Sequence, residues 1–142
     1  MFVDESGMTQ KPHRISTWAP RGKTPVLQYH FNWDNLATIA GLTLLNFYFR
    51  MYAGSIKAEQ VVDFLRHLLR CLPGKLLIVW DGLPAHRSKP VEYIWGHWKK
   101  HELPNFCPKD YFQLSTQARQ ALSRMRKRKT LITAFWKQAE LW

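Results

Sequence analysis

The sequence predicts an α/β protein, a mixed sheet flanked by helices, and three observations lead there. Segments rich in β-branched and aromatic residues fill the first third of the chain. An apolar period of three and four residues begins after Ser55. A continuous apolar run, "KLLIVWDG", then returns to strand character, as expected for a strand buried on both faces. Strands, then a helix, then a buried strand is the order of a sheet covered by helices.

Each element has its own reason. Phe2 and Val3 of "MFVDES" read as a strand already running where the chain starts, and Gly7 with a polar stretch follows it. "TWAPRGKTPVLQ" carries two prolines and a glycine around "RGK", the composition of a turn joining short extended pieces. "NLATIAGLTLL" and "NFYFRMY" predict two antiparallel strands or one bent strand, and Gly54 breaks the pattern. Ala58, Val61, Val62, Leu65, Leu68, Leu69 and Leu72 form the stripe of an amphipathic helix, with Ser55 as N-cap and Pro73-Gly74 as stop. After Pro90, Val91, Ile94, Trp95 and Trp98 make one face of a second helix, with Gly96 as its weak point. "LPNFCPKD" is a loop, "STQARQALSRMRKRK" a basic helix with Ala118, Ala121, Leu122 and Met125 inward, and "LITAFWKQAELW" a final helix. No internal repeat is visible.

The totals bound the function classes. With 142 residues, 46% apolar and 14% aromatic, the chain supports a single domain over 1–142 with a core of its own. Lys plus Arg number 21 against 10 Asp plus Glu, a net charge of +11. That excess favours an anionic partner, nucleic acid ahead of a merely soluble basic domain, because Lys and Arg on phosphates release condensed counterions. Cys71 and Cys107 have no zinc-like spacing and read as buried or inert thiols of a reducing cytoplasm. The longest greasy stretch, "LATIAGLTLLNFYF", is too short for the roughly 20 residues a bilayer span needs, so no membrane partner is expected. The N-terminus has no signal-peptide pattern. Trp18, Trp80, Trp95, Trp98 and Trp136 sit at apolar phases and read as core, not as base-stacking platforms.

Three carboxylates, Asp4, Asp81 and Glu92, stand at element ends or starts, and Asp81 closes a strand at the edge where open α/β sheets bind ligands. Phosphoryl transfer on DNA uses such clusters, because two divalent ions about 4 Å apart hold the attacking and leaving oxygens. Hard oxygen donors suit Mg²⁺ or Mn²⁺. On spacing alone, however, Asp81 reads as a turn former and Glu92 as a complement to its helix dipole.

The wording of the segments adds to this. "FVDESG", "TWAPRGKTPV", "LIVWDGLPAHRS", "PVEYIWGHWKKHELPNFCPKD" and "LITAFWKQAEL" together resemble the catalytic part of bacterial insertion-sequence transposases of the mariner-like DDE superfamily. The matches run in the family's order over nearly the whole chain. The resemblance implies a ribonuclease H-like fold and metal-dependent cleavage and strand transfer at transposon ends. Its partners would be transposon-end and target DNA, with a homodimer in a synaptic complex, in a bacterial cytoplasm at the nucleoid. Carried over by motif, Asp4 of "VDES", Asp81 of "VWDG" and Glu92 of "PVEYIW" would be the three catalytic acids and the ligands of two Mg²⁺ or Mn²⁺ ions. Glu5 would be a neighbour rather than a ligand, and His86 is open between a substrate contact and simple packing.

One departure stands out. In the family the second and third acids are a few tens of residues apart, with a helix, a strand and a loop between them. Here "AHRSK" runs directly into "PVEYIW". The inference is an internal deletion near Lys89-Pro90 that trims an outer strand and a helix; the helix-turn-helix region that precedes the family's catalytic domain is also missing. Ten residues between Asp81 and Glu92 still reach about 35 Å when extended, so the loss is one of support, not of reach. Two readings follow: a transposase catalytic domain with weak or absent activity, or a non-catalytic basic DNA-binding or oligomerisation fragment. The residues expected to follow the DNA backbone are Arg87, Lys89, Lys99, Lys100, Arg119, Arg124, Arg126, Lys127, Arg128 and Lys129. For the last of these runs a plain solvated helix face is the competing view.

Overall fold

In the structure, a computed structural model, residues 1–29, 34–80 and 89–140 are described, apart from the side chain of Lys89. Four strands, β1 (Phe2–Thr9), β2 (Asn35–Leu42), β3 (Phe47–Ala53) and β4 (Val79–Trp80), form one sheet in the order β3-β2-β1-β4. β1 and β3 run antiparallel to β2, and β4 runs parallel to β1. β2 and β3 form a hairpin closed by Thr43 N–H donating to the Asn46 carbonyl (2.8 Å), which decides the sequence ambiguity in favour of two strands. The helices are α1 (Ala58–Cys71), α2 (Lys89–His97), α3 (Tyr111–Lys127) and α4 (Lys129–Gln138).

The pleat sorts residues onto two faces. Leu36, Ala40 and Leu42 of β2 join the larger core with Val91, Ile94 and Trp98, Leu122 of α3 and Phe135 of α4. Val3 and Ile39 point the other way, onto Phe64 and Leu68 of α1. Gly41 makes that second contact close, since a Cβ there would lie 2.6 Å from Met1 Sδ and 3.4 Å from Phe64 Cζ. Burying a side chain such as Phe64 fully contributes about 1.5–3 kcal/mol.

α2 and α3 follow the expected phases: Val91, Ile94, Trp95, Trp98, Ala118, Ala121, Leu122 and Met125 are all buried. After His97 the helix widens into a π turn, Trp98–Glu102, closed by Leu103 N–H on the Trp98 carbonyl (3.1 Å). The extra residue lets Trp98 and Leu103 both face the core, and the Trp98 indole N–H donates to the Ala118 carbonyl (3.2 Å). α3 starts on Asp110, whose carboxylate accepts the Gln113 N–H (2.7 Å). The Trp136 indole donates to the Thr43 carbonyl (3.0 Å) and ties α4 to the hairpin.

Several expectations are corrected. α1 starts two residues later than a Ser55 cap implies; Lys57 is the N-cap, and its N–H donates to Gln60 Oε1 (3.0 Å). Its buried line runs through Phe64 and Leu68, while Val62 and Leu69 of the expected stripe are exposed, because the helix meets only one margin of the sheet. The "KLLIVW" run is not buried on both faces: Leu76, Ile78 and Trp80 pack towards α1, whereas Leu77 and Val79 are 79% and 44% exposed. Residues 12–29 pair with no strand and hold only a turn at Arg21-Gly22. Trp18, expected in the core, is fully exposed, since no element packs over that irregular arm. Cys71 is exposed rather than buried, at the end of α1 where the helix leaves the sheet. Among the described residues no helix is long and apolar enough to cross a membrane.

Candidate active site

Asp4 lies in the middle of β1 on the face covered by α2, by alternation with Phe2 and Met8, which pack on the larger core. Glu92 lies in the first turn of α2, exposed. Far apart in sequence, both line one open cleft of about 480 Å³, together with Ser6, His13, Lys99 and Lys100. The Trp95 indole N–H donates to Asp4 Oδ2 at 3.0 Å, so the helix that carries Glu92 also orients the Asp4 carboxylate. Lys99 Nζ donates to Ser6 Oγ at 2.8 Å, which holds the ammonium on the wall of the cleft. Burial lowers the Lys99 pKa from its usual value, and the charge of Asp4 opposes that shift. Glu5 belongs to the alternate pleat position; burial and then the neighbouring Asp4 charge raise its pKa.

Asp81, His86 and Arg87 lie outside the described residues, as does the Lys89 side chain. What precedes Asp81 is described. Trp80 is the register partner of Val3, so the residues immediately before Asp81 and immediately before Asp4 are neighbours on parallel strands. Among the described residues there is no group of three or more His, Cys, Asp or Glu side chains able to hold a metal. Three carboxylates, Asp4, Glu5 and Glu92, line the cleft, hard oxygen donors of a kind that fits Mg²⁺ or Mn²⁺ and not a soft metal.

The basic residues divide. Lys99 and Lys100 line the cleft; Arg119, Arg124, Arg126, Lys127, Arg128 and Lys129 are exposed on α3 and the α3–α4 junction and do not line it. Arg124 and Arg128 both pair with Glu102, the former at 3.0 Å, and Glu102 is almost fully buried beneath them. Arg126 stacks over the Phe49 ring at 5.8 Å. Three of the five cations of "SRMRKRK" are thus engaged within the fold, through a glutamate and a phenylalanine that lie far from it in sequence. Sequence reasoning also missed Trp95 as the partner of Asp4 and Ser6 as the anchor of Lys99; both depend on β1 meeting α2 across the core.

The mixed four-stranded sheet flanked by helices, with a carboxylate-lined cleft where it meets α2, is a ribonuclease H-like architecture. The model of the DDE superfamily endonucleases matches residues 1–111, and the chain belongs to that family, which uses divalent metals. No curated protein sequence matches the chain. The fold is similar to that in the crystal structure of the mariner Mos1 paired end complex with Mg, with TM-score 0.55 and 11% identity over 96% of this chain and 53% of that one. It is similar also to the Mos1 strand transfer complex, with TM-score 0.53 and 13% identity over 94% of this chain and 53% of that one. The chain therefore spans about half the length of these structural relatives.

Proposed function

We propose that this chain is the catalytic part of a DDE transposase, acting on DNA at transposon ends, with Asp4, Asp81 and Glu92 as its metal-holding acids. The observation that carries this reading is the convergence of Asp4 and Glu92 on one cleft, with Trp80, which precedes Asp81, paired with Val3, which precedes Asp4. Two Mg²⁺ or Mn²⁺ ions bound there would polarise the scissile phosphate and activate water or a DNA 3′-hydroxyl as nucleophile. The chain's own groups have separate tasks. Trp95 fixes one Asp4 oxygen, leaving the carboxylate turned to the cleft. Lys99 and Lys100 supply positive charge on the wall, where a phosphate backbone would lie. Arg119, Lys127 and Lys129, exposed on α3 and at the start of α4, extend the basic surface for duplex DNA. The similar mariner structures are a paired end complex and a strand transfer complex, which favours DNA partners and a dimeric assembly here.

A second reading has its own observation. Among the described residues, Leu77 and Val79, at the outer margin of the sheet, are exposed on the face opposite α1. This is the surface that a deleted strand and helix would leave bare, so the cleft is supported less well on the Asp81 side and the chain would act as a weak nuclease or as a DNA-binding remnant. Nicking of supercoiled DNA separates the two. Mg²⁺- or Mn²⁺-dependent nicking that Asp81→Asn abolishes is expected for the first reading. DNA binding with no nicking at any metal concentration would overturn it.

A further inference from the structure

Between Glu5 and Asp34 the sequence contains no acidic residue, while Lys11, Arg14, Arg21 and Lys23 are all basic. The structure makes this stretch an arm rooted beside the cleft: His13 lines the same cavity as Asp4 and Glu92. The root is held at defined points. Asn105 Oδ1 accepts the Ile15 N–H (2.8 Å), Asn105 Nδ2 donates to the Ile15 carbonyl (3.0 Å), and the Asn105 N–H donates to the His13 carbonyl (3.1 Å). Asn105 adopts φ +52° to make these contacts, a conformation that asparagine tolerates better than most residues. Further out, Lys23 N–H donates to the Pro20 carbonyl (3.0 Å) across a turn whose third residue, Gly22, has φ +82°, so the arm folds back on itself. Trp18 stands between the root and that turn with its side chain fully exposed.

A large aromatic ring left in water, on a pinned basic loop without a single acid, has the composition of a single-strand nucleic-acid contact, in which bases stack on aromatics and cations follow the phosphates. We propose that this arm grips single-stranded DNA next to the cleft, with Trp18 stacking on an unpaired base and Arg14, Arg21 and Lys23 on the flanking phosphates. The proposal deepens the DNA-cleaving reading and rests on it for the location of the strand. Its chemistry requires no metal, so it can be tested separately.

Fluorescence anisotropy in EDTA would compare a labelled blunt duplex with the same duplex carrying a short single-stranded overhang. Stacking is worth roughly 5- to 150-fold per base, so Trp18→Ala should weaken overhang binding by about tenfold while changing blunt-duplex affinity less than twofold. Trp18→Phe should restore most of the loss, and Arg21→Ala should weaken both DNAs and flatten the salt dependence. Because Trp18 packs on nothing, circular dichroism should be unchanged in its variants. Equal losses on both DNAs in Trp18→Ala, or none, would overturn the proposal. So would a dimer that becomes monomeric in Trp18→Ala with overhang affinity intact, which would assign the arm to a second copy of the chain. Overhang preference in a protein that never nicks DNA would sink the catalytic reading and leave the arm standing; nicking without overhang preference would do the reverse.

Discussion

The two sides of β1 are built very differently. On the β2 side all eight residues of β1 have register partners, from Phe2↔Leu42 to Thr9↔Asn35, and Asp4 sits in the middle of that ladder opposite Ala40. On the β4 side two pairs fall among the described residues, Phe2↔Val79 and Val3↔Trp80, backed by Val79 N–H on the Met1 carbonyl (2.8 Å). One acid of the proposed site is therefore embedded in a continuous hydrogen-bonded sheet with helices on both faces. Asp81 follows in sequence a segment whose Leu77 and Val79 side chains meet water. Precise placement of a metal ligand depends on packed neighbours, so the sheet lends Asp4 a rigidity that it withholds from the β4 margin.

The largest effect should come from breaking the well-built side. Phe64→Ala empties the space beneath Val3 and Ile39 and should cost about 3–5 kcal/mol, lowering the melting temperature by about 10 °C or more. Leu77→Ala on the opposite, bare side should stay within about 0.5 kcal/mol and should reduce aggregation on concentration. Comparable losses from the two would mean that the margin is covered after all.

A smaller effect is expected where α2 joins the two regions. Trp95→Phe keeps most of the ring in the core and removes the N–H that Asp4 Oδ2 accepts, which should destabilise by about 1–2 kcal/mol in urea. It should also shrink any stabilisation by Mn²⁺, because a less oriented Asp4 binds the ion less well. Metal-induced stabilisation of unchanged size would show that this bond does not prepare the site.

Glu5 should give the smallest effect. Its pKa is raised by burial and by Asp4, so the fold disfavours its charged form at pH above the raised value. Glu5→Gln should then raise the melting temperature by about 1–2 °C near neutral pH, a modest gain because water screens much of the interaction. The gain should vanish as pH falls below 4.5, the ordinary value, where the carboxyl is protonated in both folded and unfolded chains. A gain that persists in acid would point to packing instead of charge.

Much was legible in the sequence where local periodicity and burial coincide. The inward faces of α2 and α3 follow from the spacing of Val91, Ile94, Trp95, Trp98, Ala118, Ala121, Leu122 and Met125, since those phases repeat every turn of a helix. The order of strands and helices, and with it the α/β class, follows likewise. Where burial depends on what another element leaves uncovered, the chain was silent or misleading. Trp18 and Leu77 are as apolar as any core residue, yet among the described residues nothing folds over them.

What the sequence determined by itself is the excess of positive charge and the periods that make each element. Only the tertiary structure decided that Asp4 and Glu92 share a cleft, that Trp95 holds one and Ser6 holds Lys99, and that Glu102 occupies two arginines of the basic run. The reason is physical: periodicity is set within a few residues, whereas these contacts join strand to helix or one helical turn to another across long stretches of chain, and only the packing of the whole sheet brings them within hydrogen-bond reach.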